Sequence, residues 1–177
     1  MSPRSPELYP ENAGATDGPS IMGRIDFVPP TTSHHAKKIV RFQVGGRQIT
    51  KLGDTDELKA ARAIWWLVLL PFKPTEPLEG PLAVTLDLTW PWRKSDSNRT
   101  QLLGRIPSEV KPDADNAAKG ILDTMARLLF FKGDQQVADL HIRKWIGMRP
   151  GLEFSIRKIQ FGGERGAVPA SGQEVRP

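Results

Sequence analysis

The chain has 177 residues, of which 38% are hydrophobic, and a formal net charge of +5. It contains no cysteine, which excludes disulfides, thiolate zinc sites and cysteine nucleophiles. The modest basic excess favours anionic partners, nucleic acid first among them. No signal peptide is visible, and no apolar run reaches the roughly 20 residues that span a bilayer. We therefore expect a soluble, cytoplasmic protein without a membrane partner.

Three segments differ in composition. Residues 1–22 are rich in Pro, Gly and Ser and lack an apolar run, so we expect a disordered leader. Residues 162–177 (GGERGAVPASGQEVRP) are expected to form a disordered tail. The remaining residues, 23–161, carry the apolar patterning and predict one folded domain.

The first part of this domain predicts a strand and then a hairpin. Residues 24–28 form a short apolar run that two prolines end. Residues 34–38 are basic and polar and predict a loop. The runs 39–44 and 47–51 flank a Gly-Gly pair, which is a typical turn of a β-hairpin.

A first helix is predicted after the hairpin. Asp54 and Glu57 have the spacing of a capping box, and the helix that they open would run to about Leu70, where prolines follow. Its apolar face comprises Leu58, Ala61, Trp65 and Val68.

The clearest strand is residues 82–90, in which Leu, Val and Trp alternate with Ala, Thr and Asp. Pro91 ends this strand. Residues 92–111 are polar, basic and aperiodic, so we expect a long loop, of the kind that is often functional.

A second helix is predicted over residues 115–130, followed by a turn and by strands at 136–146 and 152–159. We expect these last two strands to pair antiparallel. The element order predicts an α+β, two-layer fold with a mixed, mostly antiparallel sheet and two main helices on one face. The apolar stripe of the second helix comprises Ala118, Ile121 or Leu122, Met125 and Leu129.

The stretch KPDADNAAKGILDTMARLLFFKGD carries the candidate chemistry. Asp113 and Asp115 alternate in a segment that we expect to be extended, so their side chains would share a face just before the helix. Lys119 follows one helical turn later, and Asp134 rejoins them only if the turn after the helix brings the chain back. Three converging carboxylates would select a hard cation such as Mg²⁺.

Each of these residues also has a simpler interpretation. An Asp-x-Asp-Asn segment before a helix commonly caps it, because Asp and Asn side chains bond to nearby backbone amides. Lys119 is commonly a solvated lysine or an i,i+4 partner of Asp115 and Asp123. Asp134 after Gly133 is an ordinary turn residue. These interpretations explain each residue separately but not their occurrence together.

That combination resembles the RusA family of Holliday junction resolvases. The family pattern is D-x-D-N-x-x-K at the start of a helix, then an Asp after that helix and a strand. The resemblance implies that Asp113, Asp115 and Asp134 are catalytic, metal-binding carboxylates and that Lys119 is the catalytic lysine. Looser matches in FVPPTTSHHAKK, RFQVGGRQITK and PLEGPLAVTLDLTW extend the resemblance over most of the body.

The resemblance also implies function and assembly. It implies a Mg²⁺-dependent endodeoxyribonuclease, with Mn²⁺ as a substitute, that resolves Holliday junctions and related branched DNA in recombination and repair by metal-assisted phosphodiester hydrolysis. Family members are homodimers, which suits a two-fold substrate. Trp65, Trp66 and Phe72 are candidates for the dimer surface or for the core.

Contacts to DNA beyond the carboxylates require surface cations. The loop with His34 and His35 departs from the family pattern, which expects more Asn or Arg there. The segment Trp90-Pro91-Trp92 either stacks at a branch point or packs structurally. The DNA-binding candidates are Lys37, Lys38, Arg41, Arg93, Lys94 and Arg143.

Two rival functions remain at this point. One is a module that grips junctions without cutting them, although all four motif positions are present. The other is an α+β interaction protein in which the acidic residues act as caps. A junction-cleavage assay separates the first rival from a nuclease, and the effect of Asp113→Asn separates the second.

Overall fold

The structure is a computed structural model that describes residues 20–32 and 36–159. His34 and His35, the expected tail and most of the expected leader lie outside these residues. In chain order the elements are β1 Ser20–Asp26, β2 Lys37–Val44, β3 Arg47–Asp54, α1 Asp56–Leu69, β4 Leu82–Pro91, α2 Asn98–Gln101, β5 Arg105–Pro107, α3 Ala114–Arg127, β6 Val137–Gly147 and β7 Gly151–Lys158, with 3-10 turns at Leu70–Phe72 and Asp134–Gln136.

A five-stranded mixed sheet organises the domain, with strand order β1-β7-β4-β6-β5. Only β4 and β6 are parallel, and the connection between them contains α3. The other neighbouring pairs are antiparallel. The expected fold class, α+β with a mixed, mostly antiparallel sheet and two main helices, is confirmed.

The core lies between the sheet and the helices α1 and α3. Leu82, Val84, Leu86 and Leu88 alternate along β4 and are fully buried in one cluster with Leu69 of α1 and Ile121 and Met125 of α3. Their burial explains the alternation in the sequence, because successive side chains of a strand point to opposite faces. The opposite face of β4 carries Ala83, Thr85, Asp87 and Thr89.

The predicted hairpin forms, but as a separate two-stranded sheet of β2 and β3. Its turn is Gly45-Gly46, with φ angles of 56° and 78°. Positive φ at both central residues is the requirement of the turn that matches the twist of a hairpin, and glycine meets it without strain.

Several local predictions were wrong. The N-cap of α1 is Thr55, whose Oγ1 accepts a hydrogen bond from the Leu58 amide at 3.2 Å. Asp54 does not cap the helix, and its carboxylate binds cationic side chains instead. The expected long loop contains α2 and β5. Leu129 is 48% exposed with φ 62°, because the chain leaves the helix there. Leu128 takes the buried position instead.

Strand pairing at the end of the chain also differs from expectation. β6 and β7 do not pair with each other, because β4 lies between them and pairs with both. The strand β1 begins at Ser20, within the segment expected to be the leader. Within the described residues, no helix is long and apolar enough to cross a membrane.

Candidate active site at the start of helix α3

The start of α3 presents the first two acidic residues of the motif. Asp113 is the N-cap residue, with extended backbone, yet its side chain makes no capping hydrogen bond. The helix begins at Ala114, so Asp115 already lies in the first helical turn rather than in the extended segment that we expected. Lys119 follows one turn later on the exposed surface. The capping interpretation therefore does not account for the Asp113 carboxylate.

The end of α3 turns the chain back toward its start. The Phe130 amide donates to the Met125 carbonyl at 3.0 Å, across the left-handed residue Leu129. Phe130 and Phe131 then bury completely in the core. Their burial places the backbone against the sheet, so that the following residues lead to the start of β6.

Gln136 fixes the turn that carries Asp134. Its Oε1 accepts from the backbone amides of Lys132 at 2.7 Å and Gly133 at 3.3 Å. Its Nε2 donates to the carbonyls of Leu78 and Gly80, each at 3.1 Å. One side chain therefore joins the turn after α3 to the segment that precedes β4.

The result is a cleft of about 240 Å³ between α3 and β6. Asp115 and Lys119 of α3 line it together with Asp134, and its apolar walls come from both elements. Those apolar residues are Ala118, Leu122, Leu140 and Ile142.

Three of the four motif residues thus share one cleft, and Asp113 is not among its lining residues. Within residues 20–32 and 36–159, no group of three acidic or histidine side chains is close enough to hold a metal ion by itself. The cleft offers two carboxylates and an amine, so any cation there needs further oxygen ligands from water or substrate.

Lys119 also makes the helical pair that its simpler interpretation predicted. Its Nζ lies 3.9 Å from Oδ1 of Asp123, one turn further along α3. At that separation and with both side chains partly exposed, the pair contributes little to stability. The lysine remains available to an anion that enters the cleft.

The segment that leads to Asp113 is tied to β6. Nζ of Lys144 donates to the Val110 carbonyl at 2.6 Å, and the Ser108 amide donates to the Lys144 carbonyl at 2.9 Å. Lys144 therefore holds the segment that leads into α3, in addition to contributing positive charge.

The DNA-binding candidates differ in how their charges are used. Lys37 and Lys38 pair with Asp54 and Asp56 respectively. Arg41 and Lys94 make no ion pair with another described residue. Arg93 binds Asp96 through its backbone amide and its guanidinium, which raises the pKa of Arg93 and lowers the pKa of Asp96.

Arg143 belongs to a partly buried cluster of polar side chains on the face of the sheet opposite α1 and α3. Its guanidinium donates two hydrogen bonds to the Asp87 carboxylate, at 2.7 and 2.5 Å, and the Trp145 indole donates a third at 2.9 Å. The hydrogen bonds to Asp87 raise the pKa of Arg143. Asp87 is only 7% exposed, so Arg143 neutralises a buried charge and still leaves part of its side chain at the surface.

Most of the aromatic candidates pack structurally. Trp65 is buried and stacks edge-on against Phe27, and Phe72 stacks edge-on against Phe154. Trp90 is buried, and its indole donates to the Pro29 carbonyl at 2.9 Å. Of the three candidates for a dimer surface, Trp66 is the exposed one, at 41%.

Sequence reasoning missed the two positioning residues, Gln136 and Lys144. Gln136 stands three residues after Gly133 and accepts from its backbone amide, but glycine has no side chain to complete a capping box, so the sequence held no such signature. The contact of Lys144 with Val110 joins residues 34 positions apart and has no local signature.

Comparison with known proteins makes the class and the family explicit. A small α+β domain whose cleft combines carboxylates with a lysine fits the class of enzymes that act on phosphate esters. Residues 29–157 match the family model described as Endodeoxyribonuclease RusA, and the chain belongs to this family. It is therefore an endodeoxyribonuclease, a hydrolase of DNA phosphodiester bonds, and membership supports a Holliday junction as its substrate.

A similar protein from Bacillus subtilis (strain 168) carries the name "Uncharacterized protein YqaN". It is 32% identical to this chain over 98 residues. The match covers 52% of this chain and 68% of YqaN.

Proposed function

We propose that this endodeoxyribonuclease uses Mg²⁺, or Mn²⁺ in its place, to resolve Holliday junctions and related branched DNA in recombination and repair. The observation that supports the proposal most is the shared cleft of Asp115, Lys119 and Asp134. Residues from the first part of a 14-residue helix and from the turn that follows the helix meet there, although each has a simpler local explanation. The DNA substrate also favours action in the cytoplasm.

The donor set fits a hard divalent cation. Asp115 and Asp134 supply carboxylate oxygens, and His141 pairs with Asp139 at 3.1 Å rather than lining the cleft. Oxygen ligands without thiolate or imidazole suit Mg²⁺, which keeps several waters and commonly binds a substrate phosphate. Bound there, the ion would polarise the scissile phosphate and lower the pKa of an attacking water.

The protein's own groups have separate proposed roles. Lys119 would place a positive charge against the scissile phosphate, where charge develops in the transition state. Asp113, exposed at the N-cap and not engaged in capping, would complete the acidic site when the DNA arrives. Gln136 and Lys144 act as positioning residues, because they hold the segments that carry Asp134 and Asp113.

A homodimer is part of the proposal. The outer face of α1 is apolar and uncovered, with Ile64, Trp66, Leu67 and Leu70 between 38% and 67% exposed. Apolar patches of this kind on a soluble domain commonly mark a protein interface. Two copies that join these faces around a two-fold axis would present two clefts to a two-fold junction.

The experiment is cleavage of a labelled four-way junction and of a linear duplex of the same arm sequence. With Mg²⁺ we expect paired nicks in the junction and little cutting of the duplex, and with EDTA we expect none. Tight junction binding without nicking under any divalent ion would favour the binding module. Equal cutting of junction and duplex would refute the proposed substrate.

A further inference from the structure

The β2–β3 hairpin, residues 37–54, is strongly basic. It carries five cationic side chains and one carboxylate, a net charge of +4 against +5 for all 177 residues. It pairs with no other strand, and both of its faces are largely exposed. A two-stranded hairpin with both faces exposed has surface available to a partner.

The charge is concentrated at the outer end of the hairpin. At its base, Asp54 binds Lys37 and also Arg62 of α1, and Lys38 binds Asp56 at 2.8 Å. These contacts anchor the hairpin to the start of α1 and neutralise the nearby cations. The three outer cations make no ion pair with another described residue; they are Arg41, Arg47 and Lys51.

One face of the hairpin alternates apolar and cationic side chains. The outer cross-strand pairs on this face are Val40–Lys51, Phe42–Ile49 and Val44–Arg47, and Arg41, paired with Thr50, lies on the opposite face. Phe42 and Ile49, at its centre, are each 41% exposed. An aromatic centre flanked by cations matches bases flanked by phosphates.

The base of the hairpin is joined through Arg62 to a second, small cleft at the start of α3. Arg62, which holds Asp54, lines the small cleft between α1 and α3 together with Asn116. Asn116 directly follows Asp115 in the first turn of α3. The hairpin therefore projects from the part of the domain that also holds the start of the helix that carries the motif.

From these observations we infer that the hairpin binds the branch point of the DNA, with Arg47 and Lys51, which share the face of Phe42, on the phosphates and Phe42 against exposed base faces. The inference rests on the proposed function, because it assumes a branched substrate. An intact duplex stacks its bases and offers Phe42 little apolar surface, whereas the open centre of a junction exposes them. A second copy of the hairpin is disfavoured by the repulsion between two surfaces of charge +4.

The test measures binding of the full-length chain, in EDTA to prevent cleavage, to a four-way junction and to a linear duplex over a range of salt. Arg47→Gln/Lys51→Gln should reduce the magnitude of the logarithmic salt slope by about 2, near 0.9 for each lost phosphate contact. The control is Lys73→Gln/Arg127→Gln, which removes the same charge elsewhere and should change the slope by less than about 1.

Phe42→Ala should weaken junction binding by about 5- to 150-fold, the range for one stacked base, and leave duplex binding unchanged. Phe42→Trp should retain junction binding, and Met22→Ala, which truncates an exposed apolar residue on β1, should have no effect. A 2-aminopurine at the branch point should change fluorescence with the wild-type chain and not with Phe42→Ala.

Two results would overturn the inference alone. If the wild-type chain prefers and cleaves junctions and the hairpin variants bind junctions equally well, the hairpin is not part of the DNA interface. A change of oligomeric state in Phe42→Ala without DNA, seen by sedimentation, would assign the hairpin to self-association. If the wild-type chain shows no preference for junctions, both this inference and the proposed function fail.

Discussion

The side-chain amide nitrogen of Gln136, Nε2, lies 3.1 Å from the backbone carbonyl oxygen of Leu78, although 58 residues separate them in the chain. Together with its bonds to Gly80, Lys132 and Gly133, this contact holds the turn of Asp134 against the segment that precedes β4. The position of the third motif carboxylate therefore depends on a neutral side chain that has no part in the chemistry.

Replacing Gln136 tests that dependence. Gln136→Ala removes hydrogen bonds to partly exposed backbone groups, so we expect a loss of about 0.5–1.5 kcal/mol in the free energy of unfolding, the scale of one net hydrogen bond. We also expect the cleavage rate to fall while junction affinity changes little, because Asp134 loses its fixed position. Chemical denaturation and single-turnover cleavage measure the two effects. Gln135→Ala, an exposed neighbour, is the control, and an unchanged cleavage rate in Gln136→Ala would refute the positioning role.

The motif carboxylates are expected to be required for cleavage and not for binding. Asp113→Asn, Asp115→Asn and Asp134→Asn should each lower the single-turnover rate by about 10³-fold, which corresponds to several kcal/mol of lost transition-state stabilisation. Junction affinity should stay equal or increase, because each change removes a charge that repels phosphate. Asp139→Asn, on the opposite face of β6, should cleave normally. Loss of junction binding in all three motif variants would indicate a folding defect.

Lys119 is expected to act on the rate rather than on affinity. Lys119→Ala should reduce the single-turnover rate by about 10²- to 10³-fold, the scale for losing one group that stabilises transition-state charge. Junction affinity should change far less. Equal losses in rate and affinity would mean that Lys119 binds ground state and transition state alike.

The outer face of α1 is expected to hold the dimer together. Leu67 is 67% exposed, so Leu67→Glu should leave the monomer folded and place a charge in the interface. We expect sedimentation to show monomers, and the two nicks in a junction to become uncoupled. Met22→Glu, on an exposed strand residue, should remain dimeric. A Leu67→Glu variant that still sediments as a dimer would exclude this face.

The base of the hairpin should respond to acid. The hydrogen bond from Lys37, with the charge of Arg62, lowers the pKa of Asp54 below its ordinary value of 3.8. The stabilisation is therefore complete above that value and is lost as the pH falls through the lower, folded-state pKa. Asp54→Asn should be less stable than wild type at neutral pH and equally stable in strong acid. A stability difference that persists unchanged in acid would contradict this ion pair.

The sequence predicted those parts of the fold that depend on local patterns. The alternation in β4, the Gly-Gly turn of the hairpin and the apolar spacing of α1 and α3 all reflect burial on one face. The short elements α2 and β5 were missed because their stretch is polar, and β5 forms by a non-local pairing with β6. The insertion of β4 between β6 and β7 is a non-local pairing that no short pattern encodes.

The candidate site shows the same division. The motif itself indicated which residue types belong together, and the structure brings Asp115, Lys119 and Asp134 to one cleft. The means of bringing them together were not visible in the sequence, because they are the burial of Phe130 and Phe131 and the long-range bonds of Gln136. The catalytic and metal-binding roles of these residues stay predictions.

Anomalous scattering from a crystal of the wild-type protein soaked in Mn²⁺ tests most directly whether Asp115 and Asp134 bind one metal ion together. We expect a single strong peak in the α3–β6 cleft, within coordination distance of carboxylate oxygens of both Asp115 and Asp134. The same experiment on Asp134→Asn should show no such peak. A well-occupied Mn²⁺ bound elsewhere, with this cleft empty in the wild-type protein, would contradict shared metal binding by these two residues.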